Sequence, residues 1–181
     1  MTGEREAARA AQETYRVIAD LVADHGELMT VHRRWECPPD VRDQIVENFD
    51  NVGVLGGAGA LVRRPTASHP TQHETLLVRY GDGQGWSDAG VTLQPGESFR
   101  DCAKRGVAAT TGLNVTVGSM LQAHVLYADD WTDRDPIARP FVLFEAHQGS
   151  GQAEPHGEVV DLRWFDTPPT KLRYEELGES F

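Results

Sequence analysis

The sequence predicts an α/β protein with a helical segment ahead of a strand-rich body. Three observations predict it. Residues 3–24 carry one apolar stripe at helical spacing. Residues 75–80, 140–146 and 158–166 are short runs rich in β-branched, leucine and aromatic residues. Between them, residues 85–115 pass from a turn-rich loop into a helical pattern and then into a new apolar run. At 181 residues the chain is long enough to bury a sizeable core. The expected division is an N-terminal helical extension over 1–49 and a main domain over 50–181.

The formal net charge of −11 argues against a nucleic-acid partner, because binding a phosphate backbone needs basic patches. Lysine occurs only at Lys104 and Lys171, so arginine carries nearly all the positive charge. Acid excess with few lysines fits a high-salt cytoplasm; a GC-rich genome also favours arginine over lysine. Cys37 and Cys102 lack the spacing of a disulfide framework or a zinc site, and a reduced, cytoplasmic location is the expectation. No apolar run is long enough for a membrane span, and no signal peptide is visible.

The first helix is expected over residues 3–24, with Ala8, Ala11, Tyr15, Ile18, Ala19 and Val22 on its apolar face and Glu4 and Glu6 in its first turn. It is a packing or dimerisation element. Residues 25–39 read as a linker with a short apolar piece at Leu28–Val31. Within it, His32-Arg33-Arg34-Trp35 joins two cations to an aromatic ring. Arg33 and Trp35 are candidate ligand-binding residues, able to hold a phosphate and stack on a base, or the run is a strand or loop lying across a surface. A second helix is expected over 40–49, capped by Asp40, with Val41, Ile45 and Phe49 on its apolar side. Residues 51–64 read as a strand of small residues packed closely on another backbone. Its Gly56-Gly57-Ala58-Gly59-Ala60 run lacks the Lys-Ser/Thr of a phosphate loop. His69 and His73 lie in a polar loop whose Pro70 opposes a helical metal pair.

In the central stretch, Ser98 suits a helix N-cap and Gly112 suits the left-handed residue after a helix end. Phe99, Cys102, Ala103, Gly106, Val107 and Thr110 share one face. Residues 114–128 read as a strand, a bend near Gly118-Ser119 and a second strand. Residues 129–135 form an acidic, solvated loop containing Trp131. A glycine-rich loop covers 148–157, and a short C-terminal helix should place Tyr174 and Leu177 against the body.

The stretch from Gly90 to Leu113 resembles the signature box of the Nudix hydrolase superfamily, in degenerate form. Glu97, Arg105, Val107, Gly112 and Leu113 match its glutamate, arginine, apolar, glycine and final apolar positions, and Trp86 upstream also fits. Val91 stands where the box opens with glycine, Ala89 where proline is usual, and Gly106, Ala109 and Thr110 where three helix glutamates belong. The resemblance implies an α/β/α sandwich around a mixed sheet, Mg²⁺-dependent cleavage of nucleoside diphosphates linked to another group, and a Glu97–Arg105 ion pair that pins the loop to the helix. It also implies a further glutamate on the late glycine-rich loop, matched by Glu154 and Glu158.

Positions 106, 109 and 110 share a helix face, where three carboxylates would suit a hard divalent cation. Glycine and alanine supply no ligand, and threonine supplies a poor one. Three functions therefore compete. In the first, favoured, the protein has lost hydrolysis and binds a nucleotide-like or diphosphate-like ligand, or another protein, with Glu97, Arg105, Glu158, Arg33, Trp35, Trp86 and Glu154 as site residues. In the second, Mg²⁺ or Mn²⁺ occupies a relocated site built from Glu97, Glu145, Glu154 and Glu158. In the third, the chain is a structural subunit, a homodimer through its first helix. The proline typical of family members specific for ADP-ribose is missing from the expected neighbourhood, Val125–Asp130.

Overall fold

A computed structural model describes residues 2–181. Helix α1 (Thr2–His25) is followed by strand β1 (Met29–Glu36) and helix α2 (Pro39–Val52). Strands β2 (Gly57–Pro65), β3 (His73–Tyr80), β4 (Trp86–Ser87) and β5 (Ala89–Thr92) lead to helix α3 (Phe99–Thr111). Strands β6 (Val115–Asp129), β7 (Ile137–Gln148) and β8 (Val159–Phe165) and a 3₁₀ turn (Glu175–Ser180) complete the chain. One sheet runs β1-β6-β7-β2-β3-β4, with β5 paired to β2 and β8 to β3. It is mixed: β1 with β6 and β2 with β7 are parallel, and the other pairs are antiparallel.

Alternation along the strands sorts the core into two faces. Ala58, Ala60 and Val62 of β2 and Val142, Phe144 and Ala146 of β7 pack under α3 through Cys102, Ala103 and Val107. Alpha-helix α1 lies on the same face, where Ile18 meets Ala123, Val125 and Ala138. On the opposite face, Leu61, Leu77 and Leu143 meet Trp86, Tyr174 and Leu177, so the C-terminal turn packs inward as the sequence suggests.

Several elements differ from the sequence reading. The supposed linker contains β1, an edge strand paired in parallel with β6. Of the expected α1 stripe Ile18 is buried and Ala11 and Val22 pack against its cluster, but Ala7, Ala10 and Thr14 are the other buried positions and Tyr15 stays 46% exposed. The buried Thr14 hydroxyl is satisfied by donating to the Ala138 carbonyl at 3.0 Å. Pro38, rather than Asp40, is the N-cap of α2. The bend near Gly118 is a bulge within one continuous strand, β6. Its exposed carbonyls, Val117 O and Gly118 O, accept from Arg100 of α3 at 2.7 and 2.9 Å. In the acidic loop, Asp130 is buried rather than solvated. It accepts from the Thr132 hydroxyl and from Arg134, which also reaches Asp43 of α2.

Candidate functional site

The loop into α3 is fastened by its own side chains. Ser98 caps the helix, its hydroxyl oxygen accepting from Asp101 N at 3.1 Å. Just before it, Glu97 accepts from the Gln94 N–H at 2.9 Å. Arg105, two turns along the helix, grips the same carboxylate with Nε at 2.7 Å and Nη2 at 2.8 Å, and Nη2 also donates to Thr92 O of β5. A two-pronged guanidinium–carboxylate pair fixes angle as well as distance. These charge-assisted bonds hold the Glu97 carboxyl down to about 2. The expected loop-to-helix pin is therefore present in the geometry. Gly112 closes the helix in the left-handed region at φ 73°.

The inner face of α3 carries no carboxylate. Gly106 is buried against β5: a Cβ there would meet Val91 Cγ2 at 3.0 Å and Val91 N at 3.3 Å. Glycine at this position thus permits a close helix-to-strand approach. Thr110 is buried and its hydroxyl donates to Gly106 O at 2.7 Å, so that oxygen serves the helix backbone. Ala109 is exposed.

The other acids do not supply the missing ligands. Glu145 of β7 lies on the opposite sheet face from α3, where Arg63 donates to it at 3.0 Å. Glu154 is exposed, on a loop that folds onto the end of α3 through Glu154 N to Thr111 O and His156 N to Thr110 O. Glu158 is exposed at the head of β8. Among the described residues no three His, Cys, Asp or Glu side chains gather closely enough to hold a metal ion. Mg²⁺ and Mn²⁺ favour about six oxygen ligands with several from carboxylates and waters, and this donor set does not fit them.

The second set of candidates lies on the sheet face away from α3. Trp86 is buried in the core against Phe165, ring centres 5.0 Å apart. Arg33 stacks over Tyr174 at 4.2 Å and donates from Nε to His124 Nδ1 at 3.0 Å. Burial lowers the Arg33 pKa, because the charged form is poorly solvated there. Trp35 is half-buried beneath the guanidinium of Arg139, 5.2 Å from its ring centre. Arg139 escaped the sequence reading. It sits at the start of β7, and only sheet register brings it near β1: Arg33 pairs with Leu126, and Leu126 with Arg139. His124, Gln122 and Asp88 were missed for the same reason, while Tyr174 was expected against the body but not in a polar group. They form a buried polar group in which Tyr174 donates to Asp88 at 2.8 Å and Gln122 donates to Glu176 O and Ser180 Oγ.

A NUDIX hydrolase from Nitrosomonas europaea superposes with a TM-score of 0.51 at 15% identity, covering 67% of this chain and 64% of that one. The present chain thus spans under two thirds of that relative's length. A UDP-X diphosphatase gives 0.48 at 16% identity, covering 76% and 67%. An Ap4A hydrolase from C. elegans gives 0.44 at 17% identity, covering 62% and 80%. No curated protein matches the sequence. No helix among the described residues is long and apolar enough to cross a membrane. A profile described as the NUDIX domain matches residues 57–175, about two thirds of the sequence, and on that match the chain belongs to the NUDIX family.

Proposed function

We propose that this chain keeps the Nudix scaffold without metal-dependent hydrolysis and holds a small nucleotide-like or diphosphate-like ligand. The reading is carried by the inner face of α3, where Gly106, Ala109 and Thr110 occupy the three positions that the box assigns to glutamate. Attack of water on a diphosphate needs its charge neutralised and the water activated, which is the work a divalent ion does in such sites. The α3 face offers one hydroxyl, and that hydroxyl is already bonded to Gly106 O. Glu97 is spoken for by Arg105, and Glu145 by Arg63. The ligand class is taken from the family, whose resemblance implies nucleoside diphosphates joined to a second group.

The experiment is direct. The protein is incubated in high salt with a panel of nucleoside diphosphate derivatives and Mg²⁺ or Mn²⁺, and monophosphate release is followed. The expected result is no release above the protein-free control. Turnover that vanishes in Glu97→Gln or Glu158→Gln would replace this reading with a relocated metal site.

A further inference from the structure

Deepening that reading, we infer that the ligand seats in a groove between α2 and the β1–β7 face of the sheet, with its phosphate on Arg139 and its planar body along Trp35. The groove has a volume of about 410 Å³. Its polar anchor is Arg139, whose Nε is buried and has no hydrogen-bond partner. No carboxylate lies within 4.0 Å of that guanidinium among the described residues, and it lies 5.2 Å from the centre of the Trp35 ring. Burial draws the Arg139 pKa down to about 10, with the Arg33 charge adding to the effect. Arg139 as a whole is half-buried, but a donor enclosed without an acceptor is costly, and an anion arriving from the groove would supply one to its Nε. Asp40 is the one acid lining the groove, and it stands exposed at the rim.

The remaining walls suit a flat organic body. Val41, Ile45 and Val54 give apolar contact, and Gln44 and Asn48 offer amides at the mouth. Gly56 lines the floor, where a Cβ would strike Pro140 O at 2.3 Å; the backbone is therefore as close to Pro140 as it can come. A half-buried arginine beside a tryptophan is the chemistry of phosphate plus ring: the guanidinium forks onto phosphate oxygens, and the indole stacks or packs on a base. Both Trp35 and α2 lie ahead of residues 57–175, so the N-terminal segment and the family scaffold build this groove jointly.

Isothermal titration with ADP, adenosine and inorganic diphosphate tests the assignment on the full chain. Two variants accompany wild type: Arg139→Gln removes the cation, and Gln44→Trp fills the mouth from an exposed position while leaving Arg139 and Trp35 in place. The expected result is ADP binding by wild type, weaker binding of adenosine and of diphosphate alone, and at least a tenfold loss for ADP in both variants. Gln44→Trp reads out the groove even if Arg139→Gln folds poorly. Undiminished ADP binding in both variants would overturn the groove and leave the proposed function standing. Binding of none of the three probes by wild type would overturn the groove as well. Mg²⁺-dependent breakdown of the bound nucleotide, with binding still lost in the variants, would uphold the groove and sink the loss of hydrolysis.

Discussion

Arg33 Nε donates to His124 Nδ1 at 3.0 Å, across the parallel β1–β6 pair. Because Nδ1 accepts, the ring proton sits on Nε2, which donates to Gln122 Oε1 at 2.9 Å. The Gln122 amide nitrogen then donates to Glu176 O and Ser180 Oγ. One neutral imidazole thus sets the direction of a chain of hydrogen bonds from the sheet to the C-terminal turn.

Protonating His124 would break that order. Burial, helped by the Arg33 charge, lowers its pKa to about 3. The unfolded chain titrates near the ordinary value of about 6.5 and so binds the proton first. Stability is therefore full above about pH 6.5 and is lost as pH falls from there toward about 3, by up to about 1.4 kcal/mol per pH unit. Urea unfolding at a series of pH values should show this slope in wild type. His124→Gln should flatten it between about pH 6.5 and 5.

Glu97 acts in a lower window. Its folded pKa, depressed by Arg105 to about 2, lies below the unfolded value, so its contribution is present above about pH 4.5 and lost as pH falls through about 2. The carboxylate is 12% exposed, and removing its partner leaves it with one backbone donor. Arg105→Met should cost about 2 kcal/mol at neutral pH, measured by urea unfolding.

Gly106 and Ala109 should respond differently to glutamate. At Gly106 the new side chain must displace Val91, and Gly106→Glu should destabilise by about 1–3 kcal/mol. Ala109 is exposed, and Ala109→Glu should stay within about 0.5 kcal/mol of wild type. Melting curves of the two single variants check the contrast.

Local chemistry was the legible part of this sequence. Ser98 and Gly112 mark the ends of α3 because caps are decided by residues within one turn, and the Glu97–Arg105 pair, found here, was implied by the family resemblance. What depended on distant pairing was legible only in part: a strand was one reading of His32–Trp35, but neither its full extent nor its partner could be read. The stretch that forms β1, Met-Thr-Val-His-Arg-Arg-Trp-Glu, is mostly polar, and its strand character comes from pairing with residues 122–129. Arg139 carries no motif, and its meaning appears only when register sets it in one row with Arg33 and Leu126. The close approach of Val91 to Gly106 is likewise a matter of helix-to-strand packing, which no local pattern encodes.

The place of β1 at the margin of the sheet bears on how the gene could be cut. A fragment beginning at Gly57 would keep the whole family-matched segment yet leave the β6 backbone from Gln122 to Asp129 without its neighbour. It would also strip the covering helix from Ala123, Val125 and Ala138. Such a bare ribbon with apolar flanks is a template for strand addition between molecules. Its smallest well-behaved folding unit accordingly reaches upstream of the Nudix boundary, and shortened versions should emerge as self-associating material on a sizing column.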